Sequence, residues 1–179
     1  LRQHPAPPQT RRGWSTCSAR LRHAASPSSS PSAMTPRVLR RLFNLWPPFL
    51  FSGIRVLALA DDWRYARVRL KLAWYNRNYV RAHFGGSLFA MTDPFWMILV
   101  MHGLGRDYIV WDKAGEIDFV APGRETVYAE FRLDEAVLEQ LRAATADGAK
   151  CLHWFDTEVK TAGGALIARV RKQIYVRRK

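Results

Sequence analysis

The feature that most constrains this fold is an apolar segment, Ser87 to Met101, in which Phe, Met, Trp, Ile, Leu and Val fall on nearly every side of a helix. A helix that is apolar all round has to be enclosed by the rest of the protein. No run in the sequence is uniformly apolar over the ~18 to 20 residues that a membrane span needs. The segment therefore predicts a buried central helix, and the remaining chain has to supply a wall around it.

That wall is predicted by segments in which apolar and polar residues alternate with a period of two, which is typical of half-buried antiparallel strands. A short surface helix, with an aspartate as its N-cap, is predicted at 134–146. The fold class is therefore α+β, with a curved antiparallel sheet wrapped round a long central helix. The predicted strands lie at 64–72, 107–120, 126–133, 150–161 and 166–176. The inward positions predicted for the last strand are Leu166, Ala168, Val170, Ile174 and Val176.

Two helices are predicted ahead of the first strand. Residues 36–46 place apolar side chains at helical spacing with three arginines between them, and Pro47 and Pro48 end this helix. A mostly apolar helix then resumes from Phe49 to Ala60. We interpret the pair as a helical cover packed over the domain with its arginines solvated. Contact of this basic amphipathic helix with anionic lipid is the alternative.

The first 33 residues are rich in Pro, Ser, Arg and Ala and show no hydrophobic period, a composition that predicts disorder. Their composition also matches an organelle transit peptide, but the first methionine of the sequence is Met34. We therefore interpret 1–33 as a leader or as a mis-assigned upstream extension. A single domain is expected at 34–179, with 34–60 as its helical cover.

The formal charge of +13 does not indicate nucleic-acid binding, because much of it precedes the predicted sheet. Through Ala60 there are nine arginines and no acidic residue, whereas the remainder has 19 basic and 15 acidic residues. The two cysteines, Cys17 and Cys151, lack the spacing of metal ligands. We expect a cytoplasmic protein with no metal and no cofactor.

The residues Gly85 to Asp93, "GGSLFAMTD", resemble the motif of the phenylacetate-pathway type of hot-dog-fold acyl-CoA thioesterase. Asn78 stands seven positions before Gly85, where that group has an asparagine. From about Met34 to its end the chain is similar to an uncharacterised bacterial branch of this superfamily, known as a domain of unknown function. The resemblance implies a hot-dog fold, an acyl-CoA or acyl-carrier substrate, and a homodimer or homotetramer. One departure is Phe84, which stands where the family has histidine.

The motif can be interpreted as the chemistry of thioester hydrolysis. Backbone N–H groups of Gly85 and Gly86 at a helix N-terminus could bind the carbonyl oxygen, with Gly86 as the donor. Asp93 could act as general base or as nucleophile. Seven residues along one helix separate Gly86 from Asp93 by ~10 Å, whereas one carbonyl needs both within about 3 to 4 Å. Two antiparallel helices from two chains could satisfy both, in agreement with the dimer-interface sites of the family.

The other candidate residues are assigned with their alternatives. Asn78 could orient the water or the thioester, or could be a turn residue. His83 and Ser87 are candidate substrate contacts, Ser87 being also suited to a helix start. Lys113 could bind a phosphate of coenzyme A, or could form a structural salt bridge. Pro94 predicts a kink in the helix, and Asp93 before it is interpreted as a catalytic or substrate-contacting residue, with the cap of a second half-helix as the alternative.

Two other functions compete with hydrolysis. Dehydratases and hydratases of the same fold are disfavoured, because Asp93 is the one acidic residue of the central helix and Ile98 stands where a hydratase has histidine. A non-catalytic acyl or lipid binder, which could sit at a membrane surface, stays open as the alternative.

Overall fold

The computed structural model describes residues 34–179, and the expectations for 1–33 lie outside the described residues. Six strands form one antiparallel sheet in the order β1-β2-β4-β5-β6-β3. The sheet curves round a central helical segment, so the expected hot-dog fold is confirmed. The elements are α1 Pro36–Leu45, α2 Pro47–Ser52, β1 Ile54–Leu59, β2 Tyr65–Leu70, α3 Gly85–Ala90, α4 Phe95–Leu104, β3 Tyr108–Phe119, β4 Val127–Arg132, α5 Glu135–Ala144, β5 Lys150–Thr161 and β6 Leu166–Arg178.

The five predicted strands are all present, but the helix predicted from Phe49 to Ala60 is wrong over its second half. That helix ends at Gly53, whose φ of 79° is left-handed, and Ile54–Leu59 forms the edge strand β1 against β2. Ile54 and Val56 are buried while Arg55 is exposed, a period of two that the apolar composition of the segment hides. Pairing with the open edge of β2 decides between helix and strand here.

The central helix is two helices rather than one continuous element. α3 and α4 are separated by a turn over residues 91–94, because Pro94 has no N–H to donate to the carbonyl of Ala90. That carbonyl accepts from the amide of Asp93 instead, at 3.3 Å. The break predicted at Asp93 and Pro94 is thus confirmed, and it carries the Asp93 side chain to the surface.

The stretch Gly85–Leu104 has the length and apolar composition of a membrane span, although the sequence showed no uniformly apolar run. Half of its apolar 18-residue stretch is buried within the domain. The ring of Phe95 stacks on Phe131 of β4 at 5.0 Å, and the indole N–H of Trp96 donates to Thr157 of β5 at 2.7 Å. Enclosure by the sheet accounts for the apolar surface of this helix.

The side chain of Asn44 fixes α1 across the edge strand β1. Its Nδ2 donates to the carbonyl of Val56 at 3.1 Å, and its Oδ1 accepts from the Val56 amide at 2.8 Å. Arg40 donates to the carbonyl of Leu57 at 2.9 Å. An asparagine amide here takes the place that a further strand would occupy, so this edge is closed by a helix.

Replacement of Asn44 tests this closure. Asn44→Ala leaves both backbone groups of the buried Val56 without a partner, so the free energy of unfolding should fall by about 1 to 3 kcal/mol. Urea unfolding would measure the loss. Arg41→Ala, on the exposed face of the same helix, is the matched control and should change stability little. Equal effects of the two substitutions would contradict the closing role of Asn44.

Candidate functional site

Asp93 lies in the turn between α3 and α4, and its carboxylate is about half exposed. Its Oδ1 accepts a hydrogen bond of 2.5 Å from the ammonium group of Lys172 on β6. None of the described hydrogen bonds reaches its Oδ2. One oxygen of Asp93 is therefore held by the sheet, while the other is open to a ligand.

Lys172 is an ammonium group buried on the inner face of the sheet. Its side chain is 4% exposed, and its strand neighbours on that face, Val170 and Ile174, are buried as well. A second carboxylate, Asp112 on β3, lies 3.7 Å from its Nζ. That distance is too long for a hydrogen bond but allows an ion pair. The three side chains form one cluster, which we call the Asp93–Lys172–Asp112 cluster.

Burial makes the charged form of Asp112 less favourable than it is in water. Burial raises the pKa of Asp112 from 3.8 to about 6, against the lowering effect of Lys172, and the charge of Asp93 raises it further. Among the described residues its Oδ1 has no hydrogen-bond partner. Asp93 takes the close hydrogen bond from Lys172, so the two carboxylates have different roles in the cluster.

Gly115 on β3 gives Lys172 room to reach Asp93. It is the register partner of Lys172 between β3 and β6. A Cβ at Gly115 would lie 2.6 Å from Cζ of Phe89 and 3.2 Å from Cδ of Lys172. The Phe89 ring in turn lies 4.9 Å from the Lys172 ammonium, a cation–π contact. Glycine is required at this position because the Lys172 stem and the Phe89 ring fill its side-chain space.

The two glycines of the motif begin α3, as expected, and each lies against an aromatic ring. A Cβ at Gly86 would be 2.4 Å from the Phe84 ring, and one at Gly85 would be 2.8 Å from the ring of Phe119. Phe84 and Phe119 are 58% and 55% exposed. The departure from the family motif at Phe84 thus places an exposed apolar ring where the family has an imidazole.

His83 is buried in the loop that leads to α3. Its Nε2 donates to the carbonyl of Glu125 at 2.7 Å, and Gly123 packs against the ring. Burial lowers the pKa of His83, and the hydrogen bond to Glu125 opposes this only in part. With Nε2–H as the donor to Glu125, the buried Nδ1 has no hydrogen-bond partner among the described residues, and a substrate contact by His83 stays a prediction.

Asn78 is engaged in the same loop. Its Oδ1 accepts from the amides of Val80 and Ala82, and its Nδ2 donates to the carbonyl of His83 at 3.1 Å. These three bonds are those of a turn residue, the alternative that the sequence left open. The structure therefore brings Asn78 together with His83 and holds its amide within the loop.

The remaining two candidates lie apart from each other. Ser87 is buried in the first turn of α3. Lys113 is the extra residue of a bulge in β3, between Asp112 and Ala114, and its side chain is exposed. Within residues 34–179, Lys113 has no ion pair, so a salt bridge does not account for it.

Sequence reasoning missed Lys172 and Asp112. The alternation of β6 placed Val170 and Ile174 inward, and Lys172 between them has to share that face. A lysine on an otherwise apolar strand face needs a buried anionic partner, and Asp93 was already singled out. The alternation of buried and exposed positions along β6 was therefore the signal that could have identified Lys172. Asp112 had no comparable signal, since its place before a bulge in β3 is its one distinguishing feature.

Asp93 is the exposed member of the cluster. Two concave regions of the described chain lie elsewhere, one between α1 and β1 and one on the outer face of β2, β4 and β5. Between residues 34 and 179 no group of three or more His, Cys, Asp and Glu side chains is arranged to hold a metal ion. This arrangement offers an oriented and about half-exposed carboxylate at the break between α3 and α4.

The pKa of Asp112 predicts a pH-dependent stability. Because it is raised from 3.8 to about 6, the folded protein binds this proton more tightly than the unfolded chain. The resulting stabilisation is complete below pH 3.8, falls as the pH rises from there through about 6, and is absent above that. Asp112→Asn removes this titration. The variant should therefore gain about 1 to 3 kcal/mol of unfolding free energy relative to wild type between about pH 4 and pH 8.

Urea unfolding at several pH values would measure this gain. Asp118→Asn, which removes an exposed carboxylate from the same strand, is the control for the loss of one carboxylate. A constant difference for Asp112→Asn would contradict a raised pKa for Asp112.

Solved structures with this architecture share little sequence with the chain. A Pseudomonas aeruginosa protein of unknown function, described as a probable thioesterase, superposes with a TM-score of 0.72 at 20% identity, covering 82% of this chain and 97% of its own. A thioesterase from Haemophilus influenzae gives 0.59 at 13% identity, covering 82% and 93%. A protein of unknown function from Chlorobaculum tepidum gives 0.63 at 15%, covering 81% and 98%. These likenesses establish the fold.

At the level of sequence, no curated protein is significantly similar to this chain. The model of one family, described as domain of unknown function DUF4442, matches residues 35–176. This range contains the central helices and all of the sheet except the last two residues of β6. The chain therefore belongs to the DUF4442 family and has the hot-dog fold.

Proposed function

We propose that this protein hydrolyses the thioester of an acyl-CoA or an acyl carrier at a site shared by two copies of the chain. The observation that carries the proposal is Asp93, a surface carboxylate at a helix break, oriented by the buried ammonium of Lys172. Stability alone does not require such an arrangement, because a buried ion pair often contributes no more to folding stability than apolar packing in its place. An oriented carboxylate with one open oxygen is what general-base or nucleophilic catalysis requires.

Two routes of hydrolysis are open to Asp93. As general base, Oδ2 takes a proton from water while the water oxygen attacks the thioester carbonyl carbon. The C–S bond then breaks, and the thiolate leaves and takes up the proton. As nucleophile, Oδ2 attacks the carbonyl carbon itself, the thiolate leaves, and water hydrolyses the mixed anhydride. In both routes the backbone N–H of Gly86 donates to the carbonyl oxygen as negative charge develops there.

Lys172 positions Asp93 in either route. A buried ammonium cannot move away from Asp93 without losing a hydrogen bond that offsets the cost of its burial, so this bond restricts the carboxylate to one orientation. The Phe89 ring and the glycine at position 115 hold the lysine stem in turn. Lys172 and Gly115 are register partners on paired strands of the sheet, which makes this support rigid.

The second copy is proposed because the Asp93 carboxylate is about half exposed and the edge strand that carries Asp112 is unpaired on one side in the single chain. The edge strand β3 pairs on one side with β6, and its other side is open along Tyr108–Phe119. An open edge of this length is a template for pairing with another strand. A two-fold axis at this edge would make the pairing antiparallel and bring Gly86 of one copy towards Asp93 of the other.

A non-catalytic acyl binder is the second candidate. The observation that favours it is the apolar surface formed by Phe84 and Phe119 at the glycine pair. An acyl chain would bury these exposed rings, and an imidazole that could act on a thioester is absent from that position. The two functions differ in turnover, and the following experiment separates them.

Asp93→Asn should abolish hydrolysis. A panel of acyl-CoA thioesters of different chain lengths, with release of free thiol as the measurement, should show turnover by wild type and a loss of about 10²- to 10⁴-fold in kcat for the variant. Asp156→Asn, an exposed carboxylate on β5, is the matched control and should keep wild-type turnover. Turnover that survives Asp93→Asn would exclude the role of this residue, and acyl binding without any turnover would favour the binder.

Mixing two inactive variants tests whether the site is shared. Gly86→Pro removes the proposed N–H donor at a helix position that tolerates proline, while Gly86→Ala keeps the N–H and adds a Cβ near the mobile end of Phe84. Co-expression of Gly86→Pro with Asp93→Asn should restore about a quarter of wild-type activity, since half of the dimers are mixed and each has one intact site. A site within one chain would give no recovery.

A further inference from the structure

The outer face of α1 carries an apolar stripe that the domain does not cover. Val38, Leu42 and Leu45 lie one helical turn apart and are 46%, 47% and 70% exposed. The opposite face is the one that packs, through Leu39 and Phe43. The sequence predicted that this helix buries its apolar residues and solvates its arginines, yet three of the apolar side chains point outward.

The stripe continues into α2. Trp46, Leu50 and Phe51 are 46%, 49% and 74% exposed, with Phe51 at the end of the element. Asn44 holds α1 on β1 through its side-chain hydrogen bonds. The outward direction of these apolar side chains is therefore fixed by the fold. Six large apolar residues within 14 positions are therefore presented to solvent.

A loop with exposed aromatic residues adjoins the end of α2. Asn76 donates from Nδ2 to the carbonyl of Ser52 at 2.9 Å, which holds the loop against α2. Beside Asn76 in the sequence, Trp74 and Tyr75 are 83% and 53% exposed. We call the outward residues of α1 and α2 together with this loop the α1–α2 surface.

The charge of the α1–α2 surface has one sign. No Asp or Glu occurs in residues 34–60 or 71–84. Arg37 meets Asp61 in an exposed ion pair of 3.3 Å, and Arg41, between Val38 and Leu42 on the helix, is exposed. The basic residues of these two stretches are Arg37, Arg40, Arg41, Arg55, Lys71, Arg77 and Arg81.

We propose that the α1–α2 surface docks on an anionic lipid bilayer. An apolar stripe flanked by arginines fits the acyl chains and the headgroups of such a bilayer at the same time. Trp and Tyr side chains are suited to the boundary between the two, because each has an apolar body and a polar tip. The inference goes beyond hydrolysis and holds whether or not Asp93 is catalytic.

A second copy fits the α1–α2 surface less well. A two-fold contact would place the same basic patch on both partners, so arginines would face arginines. The open strand edge β3, at the other end of the strand order, is also the better place for self-association. An anionic bilayer offers partners to both the apolar and the basic residues of this surface. A second copy offers partners only to the apolar residues.

Vesicle flotation of the full 179-residue chain tests the proposal. Wild type should bind phosphatidylcholine vesicles that contain roughly one-quarter phosphatidylglycerol and should bind pure phosphatidylcholine at least about tenfold more weakly. Leu45→Glu should weaken binding to the anionic vesicles by about tenfold or more, because it puts a like charge and a polar group into the stripe. Leu152→Glu, the same exchange at an exposed leucine of β5, should bind as wild type does.

Two further measurements keep the result unambiguous. Arg11→Ser combined with Arg12→Ser, a change ahead of the domain, should leave most of the binding intact. The molar mass of wild type and Leu45→Glu in solution should be the same. No binding by wild type, equal binding by Leu45→Glu and Leu152→Glu, loss of all binding in the Arg11 and Arg12 variant, or a smaller assembly for Leu45→Glu would each overturn the proposal.

Discussion

The burial of the Lys172 ammonium sets the constraint on which the candidate site depends. Removing a charge from water costs several kcal/mol, and only nearby anionic groups offset that cost. Asp93 and Asp112 supply them, from the break in the central helix and from the edge strand β3. Three elements that are distant in sequence are thereby held together at one point, and Asp93 takes its position from a residue 79 positions away.

Two backbone features make this pairing geometrically attainable. The turn at Pro94 interrupts the central helix and turns the carboxylate of Asp93 out of the apolar core. Gly115 leaves open the space on β3 over which the Lys172 stem passes. A continuous helix would keep the carboxylate at an apolar contact, and a side chain at position 115 would displace the lysine. The aspartate, the proline and the glycine therefore form one structural unit with Lys172.

Much of this architecture could be predicted from sequence because apolar and polar residues recur along most elements with the period of a strand or of a helix. The strands of the sheet alternate, and the Asp93–Pro94 pair marks its own helix break. The edge strand β1 could not be predicted in this way, because its apolar composition fits helix and strand alike and pairing with β2 decides the outcome. Lys172 was accessible in principle from the alternation of β6, but its contact with Asp93 is tertiary and has no local signature.

The two edges of the sheet differ in whether their backbone is paired, and this difference decides which surfaces are available for contacts. At β1 the amide of Asn44 pairs with the backbone, so the edge is closed and α1 is fixed with its apolar stripe outward. At β3 the backbone is open, and the strand carries Asp112 and Gly115 of the site. Self-association at β3 would place a second copy beside Asp93 without covering α1. A dimer formed at this edge would therefore still have two α1–α2 surfaces free to contact lipid.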